Sequence, residues 1–298
     1  MANETDTTSA NDLYVTVLHQ AVLEERRPLQ VPWRQFHTKA DPIGRGITAQ
    51  FPIQDDPAAA TALTESTDAT NTQLTTSNQQ ATATEQGIMA TVTDRLAAVS
   101  VVDAYPHFEG VLGRSYEERV LDIFAGLYDN FTGITGTSGA DLTLVQFLAA
   151  VTALAGRDVP GPYYSVLHTQ QVLDLRSGSG NTPGGILPGF AASQTGMEFL
   201  ASPNFQQTVM NDINRSAYAG SILNVDVWQT TAVVTMANGA DRGGGIFNKD
   251  AIGYHELWDQ KVELQRDASL RATEIVVTGC LGAVEIDDNR GQTIQTDA

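Results

Sequence analysis

The chain has 298 residues, of which 42% are hydrophobic and 17% charged, and its formal net charge is -18 at pH 7. That length supports a full core, divided between two lobes because single cores rarely grow past roughly 250 to 300 residues. The charge excludes a tight grip on phosphate backbones, which needs clustered Lys and Arg. Lysine occurs only at Lys39, Lys249 and Lys261, and no cationic residue lies between Arg45 and Arg95. With few charges, the surface leans on Thr, Asn, Gln and Ser, a composition that suits packed protein interfaces. Cys280 is the single cysteine, so no internal disulfide or cysteine metal site is expected and a reducing cytoplasm is the default compartment. Residues 1–10 lack the basic and apolar regions of a signal peptide, and no apolar run approaches the roughly 20 residues that span a bilayer.

Asn11 or Asp12 caps a short helix reaching about Arg26, with Tyr14, Val15, Leu18, Ala21 and Val22 at helical spacing. Pro28 and Pro32 then extend the chain, and residues 26–45 show no clear period while carrying Trp33 and Phe36. An irregular arm with large aromatic side chains is expected to be pinned by a neighbouring molecule, packing on its own body being the alternative. From Gln54 to Gly87 the only large apolar side chains are Leu63 and Leu74. Such a stretch buries too little apolar area to offset its own ordering entropy. Yet it is rich in β-compatible Thr and is bracketed by strand-like segments at 46–53 and 87–93. It reads as a long two-stranded arm that becomes ordered against another copy of the chain. A half-arm of about 17 residues at roughly 3.3 Å each reaches on the order of 55 Å.

A helical signal begins at Leu96. Ser115 and Glu118 fit a capping box, followed by a stripe of Tyr116, Val120, Phe124 and Leu127 with Leu121 and Tyr128 beside it. Residues 133–139 mark a lobe boundary. Thr143 and Gln146 cap a second helix from Leu144 to Ala155, with Gly156 as a left-handed stop. Tyr163–Leu167 reads as a buried strand and Thr169 as the cap of a helix from Gln170 to Leu175. A Gly, Ser and Pro-rich loop spans Ser177–Gly189, and Ser202-Pro203 opens a helix with Phe205, Val209 and Ile213 inward. Strands are expected at 224–228, 232–236, 245–247, 261–267, 273–278 and 283–286, with a turn at 267–271. Without a βαβ rhythm the fold class is α+β.

No constellation carries catalysis. His255-Glu-Leu-Trp-Asp259 begins like a zinc-protease motif but ends in Asp. Residues 136–140 lack the last glycine of a serine nucleophile elbow. The glycines at 178–189 and 243–245 lack the Gly-Lys-Ser/Thr ending of a phosphate loop and read as flexible turns. His19, His37, His107, His168 and His255 are scattered, while Trp228 and Trp258 suit a core or an interface equally. No catalytic residue, cofactor or metal is expected.

The order of parts is an arm, a strand, a Thr-rich excursion with Leu63-Thr-Glu-Ser66 and Leu74-Thr75, a return strand and a long helix. Leu142-Thr-Leu-Val-Gln-Phe-Leu148, Pro162-Tyr-Tyr-Ser-Val-Leu167, Gly245-Ile-Phe-Asn-Lys-Asp-Ala-Ile252, a β-hairpin and Gly282-Ala-Val-Glu-Ile-Asp287 complete it. This succession resembles the tailed-bacteriophage major capsid proteins of the Hong Kong 97 type. The resemblance implies an N-terminal arm (1–46) and an extended β-hairpin, the E-loop (47–89). It also implies a peripheral domain with the long helix and a β-hairpin (90–133 and 245–276), and an axial domain with a central sheet flanked by helices (134–244 and 277–298). Trp33, Phe36, Leu63, Glu65 and Leu74 would then make inter-subunit contacts. The implied partners are other copies in pentamers and hexamers, a portal, in some members a decoration protein, and a separate scaffolding protein, since an E-loop starting near 47 leaves no room for a fused one. Double-stranded DNA would be enclosed with little direct binding, in a virion capsid assembled in the host cytoplasm without membrane. The E-loop contains no lysine, so the isopeptide crosslink of some members is not expected. An encapsulin-type nanocompartment shell shares the fold, and an acidic monomeric hydrolase or carbohydrate-binding protein is a reading from another class.

Overall fold

The computed structural model describes residues 4–5, 31–40, 46–54, 59–60, 62–65, 68–69, 71–100, 104–177, 217–222, 224–236 and 239–297. The helix expected over 11–26, the loop from 178 to 189 and the helix opening at Ser202 lie outside the described residues. Strands and helices are numbered along the chain. Five strands, β1 (Glu4–Thr5), β2 (Thr38–Lys39), β5 (Thr84–Thr93), β11 (Ile252–Asp267) and β12 (Ala272–Glu285), form one sheet in the order β1-β5-β12-β11-β2. Six strands form a second sheet: β6 (Ile134–Thr135), β7 (Tyr163–Leu167), β8 (Tyr218–Ile222), β9 (Val225–Gln229), β10 (Asp241–Asn248) and β13 (Gly291–Asp297), in the order β6-β13-β10-β7-β9-β8. Between β2 and β5 in sequence, β3 (Thr48–Gln54) and β4 (Thr76–Thr82) make a separate two-stranded ribbon. The positions 245 and 277, read from sequence as domain boundaries, fall inside β10 and β12; the chain changes sheets at 249–251 and 286–290.

The long helix α3 (Ala104–Ala125) lies across β5 and β12 and buries Leu112, Tyr116, Val120, Leu121 and Phe124, the stripe its periodicity predicts. It starts about three turns before Ser115, so the capping-box residues sit mid-helix. Pro106 is tolerated in the first turn, where a backbone N–H has no intrahelical acceptor, and burial of Ala104 and Leu112 carries the helix past the expected start. Before it, α2 (Asp94–Val99) is capped by Thr93, whose hydroxyl accepts from the Leu96 amide. Across the second sheet, α4 (Leu144–Ala155) has both halves of the Thr143/Gln146 capping box in place and buries Leu144, Phe147, Ala150 and Leu154. Gly156 is right-handed, and Asp158 takes the positive φ of 56° instead. Helix α5 (Thr169–Ser177) is capped one residue earlier than expected, His168 Nδ1 accepting from the Gln170 amide.

Two local readings are corrected by packing. Residues 232–236 contribute a single bridge, Thr235 to Arg242, where a strand was expected. Gly243–Gly245, read as a flexible turn, lie within β10 between β13 and β7. A Cβ at Gly243 would come within 2.7 Å of the Asp129 side chain, and one at Gly244 within 2.9 Å of Gln171, Leu167 and the Val166 carbonyl. These glycines admit neighbours; they do not loosen the chain.

Residues 31–40 are inserted into the core. Helix α1 (Trp33–Phe36) buries both aromatics, Trp33 stacking on Phe124 of α3 at 4.7 Å and Phe36 on Tyr164 of β7 at 4.9 Å. The His37 ring is sandwiched between Phe124 at 4.7 Å and Phe247 of β10 at 5.2 Å. Its Nε2 meets the Tyr128 hydroxyl at 3.1 Å, and Nδ1 has no hydrogen-bond partner among the described residues. Burial drops the imidazole from its ordinary 6.5 to about 3. A group held neutral in this way stabilises the fold above its unfolded pKa, and that stability is lost as pH falls. The His37 contribution is a loss of about 1.4 kcal/mol for each pH unit below 6.5, read as the difference between wild type and His37→Phe in urea unfolding at pH 7 and pH 5. His37→Phe keeps a stacked ring and should cost about 1 kcal/mol at neutral pH for the lost bond to Tyr128; a difference that does not shrink on acidification would place the acid sensitivity elsewhere.

Candidate assembly surfaces

The ribbon is built from two short strands paired in seven registered positions, from Thr48–Thr82 at the root to Gln54–Thr76. Its root is docked: Ala49, Phe51 and Ala81 are buried against Ala40, Val284 and Ile286. His255 Nε2 donates to the Gly46 carbonyl at 2.9 Å, and the Ala83 amide to the Ile47 carbonyl at 2.8 Å. Two glycines permit this docking. A Cβ at Gly282 would come 2.1 Å from the Thr82 carbonyl oxygen, and one at Gly253 2.5 Å from the Phe51 ring.

Beyond the Phe51–Gln79 pair the described residues cover the ribbon thinly: Ile53 is half-buried, Thr76, Ser77 and Asn78 are exposed, and Pro52 removes one donor from β3. A two-stranded ribbon without an apolar face is marginal in water. Past its end, Leu63 and Leu74 are 64% and 58% exposed, and Glu65 is exposed as well. The span is also acidic throughout, with Asp55, Asp56, Glu65, Asp68 and Glu85 and no Lys or Arg.

A second surface lies on the hairpin of β11 and β12. Strand β2 pairs with β11 only at Gly253 and Tyr254, so the outer edge of β11 from Glu256 to Asp267 has no strand partner among the described residues. Its inner part is covered by side chains: Glu256 accepts from Arg34 at 3.0 Å and Lys39 at 2.8 Å, and Arg34 also reaches Asp259 and lies 4.6 Å over the Trp33 ring. The hydrogen bond to Glu256 holds the Lys39 ammonium above its usual range. Further out, Leu257, Trp258, Val262 and Leu264 are exposed, as are Ile88 and Met89 on β5. At the hairpin end Arg266 grips Asp94 through both nitrogens, at 2.5 and 2.7 Å.

Of the five residues expected at subunit contacts, Leu63, Glu65 and Leu74 lie uncovered along the excursion, whereas Trp33 and Phe36 are enclosed by the chain's own core and have almost no surface for a neighbour. The alternative of packing on the body is the arrangement seen. No periodic signal in the sequence separates core from interface here, because the helix is four residues long and His37 is already extended. Of the remaining motifs, His255 sits buried in a strand, and residues 136–140 form a turn with positive φ at Gly136 and Gly139. Among the described residues no cluster of three His, Cys, Asp or Glu is placed to hold a metal, and no helix is long and apolar enough to cross a membrane.

No protein-family model matches the sequence, and no curated protein matches it. Solved structures do. The chain is similar to that of Mycobacterium phage Che8, with a TM-score of 0.65 and 15% identity over 94% of this chain and 96% of that one. It is similar to a chain of the capsid of Ralstonia phage GP4, with a TM-score of 0.67 and 10% identity over 95% of each. For the capsid of the myovirus XM1 the TM-score is 0.63 and the identity 10%, over 96% and 98%. The α+β fold described above is thus the fold of phage capsid chains, along nearly the whole length.

The ribbon root supplies a test. Gly282→Ala puts its methyl into backbone, which cannot yield, and should destabilise by about 1 to 3 kcal/mol in urea unfolding. Gly110→Ala, in open space on α3, should instead stabilise by about 0.5 to 1 kcal/mol.

Proposed function

We propose that this protein is a major capsid protein of the Hong Kong 97 type, which assembles through pentameric and hexameric rings into a closed shell around double-stranded DNA. The observation that carries the reading is the ribbon: docked at its root, uncovered beyond it, on a chain with a phage capsid fold. An uncovered, marginal ribbon is favoured only if something outside the chain covers it, and a second copy is the partner a shell provides in every orientation. The distal strands then add to a neighbour through backbone hydrogen bonds, with Leu63 and Leu74 as apolar anchors and Glu65 beside them.

In this assignment the five-stranded sheet with α2 and α3 is the peripheral domain and the six-stranded sheet with α4 and α5 is the axial domain. The boundaries follow the sheet crossings at 126–133, 249–251 and 286–290, not residues 245 and 277. Because the excursion from 47 to 89 contains no lysine, the shell is held without isopeptide bonds. A charge of -18 per subunit repels packed DNA at short range, which suits a container that later empties.

The expressed chain should give rings or hollow particles by size-exclusion chromatography and negative-stain microscopy. The double substitution Leu63→Asp, Leu74→Asp touches only exposed side chains, so the unfolding free energy should stay within about 0.5 kcal/mol while particles are lost. A wild-type chain that stays monomeric at every concentration, with the ribbon protected from proteolysis, would sink the proposal.

A further inference from the structure

The hairpin of β11 and β12 leaves one edge of the five-stranded sheet open. Beyond its contact with β2, β11 has no strand partner on its outer side among the described residues, and an open edge is a template for another strand. Register shifts on both sides of Trp258 break the inner part of that edge. From Lys261 to Asp267 the ladder to β12 is continuous, one residue opposite one, running from the Lys261–Thr278 pair to the Asp267–Ala272 pair. Seven residues of regular edge are therefore available.

The side chains of this edge sort by face. Val262 lies opposite Val277 and Leu264 opposite Ile275, so both share the face on which Val277 and Ile275 are fully buried in the core with α3. At β11 that cover runs out. Helix α3 lies across β5 and β12, and Val262 and Leu264 are left 42% and 56% exposed. Lys261, Glu263 and Gln265 occupy the other face and are exposed as well, with Lys261 paired to Glu263 of its own strand.

A second copy of the same edge fits it. Two identical strands pair antiparallel about a two-fold axis normal to the sheet, and opposite residues must share a face, so one residue meets its own copy. The charges select which one. An axis at Glu263 sets Glu263 against Glu263, an axis at Gln265 sets Glu263 against Asp267, and an axis at Val262 runs the pairing into the irregular stretch around Trp258. An axis at Leu264 uses the whole regular edge: Leu264 meets Leu264, Val262 meets the stem of Arg266, Glu263 meets Gln265, and Lys261 meets Asp267 at both ends. We propose that β11 is an isologous docking edge, through which two copies of this chain pair residues 261–267 antiparallel about an axis at Leu264 and join their five-stranded sheets into one. Val262, Leu264 and their mates then cover one another on the face that α3 leaves bare. Seven residues make a small contact, weak between two free chains and effective where many copies repeat it. Ring contacts are heterologous and this one is isologous, so it stands independently of the ring assembly proposed above.

Cysteine trapping reads the register directly. Leu264→Cys sets two thiols at opposite positions with Cα atoms about 4.5 to 5.5 Å apart, within the reach of a disulfide. Val262→Cys sets them four positions apart, roughly 13 Å, and outside it. Cys280 is buried and gives the background. In the full chain carrying Leu63→Asp and Leu74→Asp, under mild oxidant, Leu264→Cys should form crosslinked dimer about ten-fold faster than Val262→Cys on a non-reducing gel. In the same background Leu264→Glu, at an exposed position, should weaken dimer formation about ten-fold in sedimentation while leaving the unfolding midpoint in place. Equal crosslinking at the two positions, or none at 264, would overturn the docking edge. A wild-type chain that forms no particles but crosslinks at 264 would count against the ring assembly alone.

Discussion

The structure depends on an aromatic wedge. Trp33, Phe36 and His37 enter between the helix that covers one sheet and the central strands of the other, so that Phe124 and Phe247 are joined through an imidazole that belongs to neither. Without this segment the two layers would face each other across a slot lined by rings and by Tyr128, Tyr164 and Tyr254, an apolar surface that water wets poorly. The ion pairs of Arg34 and Lys39 with Glu256 seat the outer side of the wedge against β11. Residues 31–40 are thereby a structural part of both layers.

Close backbone approach is the second recurring device. Gly243 to Gly245 bring β10 under Asp129, Gln171 and Tyr128, Gly279 receives the Tyr116 hydroxyl, and Gly253 and Gly282 receive the ribbon root. Each replaces a side chain by a neighbour's, so packing density is kept while elements cross at short distance. The buried amide of Gln171 serves the same end from α5, accepting from the His168 amide and donating to the Arg242 and Ile294 carbonyls and the Thr296 hydroxyl.

What was legible in the sequence was local. The Thr143/Gln146 box and the stripe from Tyr116 to Tyr128 are written in neighbouring residues, and the structure follows them. The turn at 267–271 is of the same kind, Asp267 accepting from Ser269 and Leu270. The strand Thr76–Thr82 was not legible as such, because Thr, Ser, Asn and Gln give no apolar alternation and its pairing is written in β3. The wedge was missed because four helical residues beside Pro32 are too few to display a period. Glycines 243–245 look like a turn until the elements that press on them are known. Thr132 and Asp288 meet across more than 150 positions, a proximity that no local pattern encodes.

Strand β4 passes into β5 with only Ala83 between them, so the ribbon and the central part of the five-stranded sheet are one nearly unbroken length of extended chain. Tension applied at the ribbon's free end therefore runs along the covalent backbone into β5. There it meets the ladder to β12 lengthwise, with many hydrogen bonds bearing load together and none opened one at a time. A molecule strung in this way is stiff to being drawn outward, as a tendon is, and its docked root at Ala83 passes the load on without a slack joint.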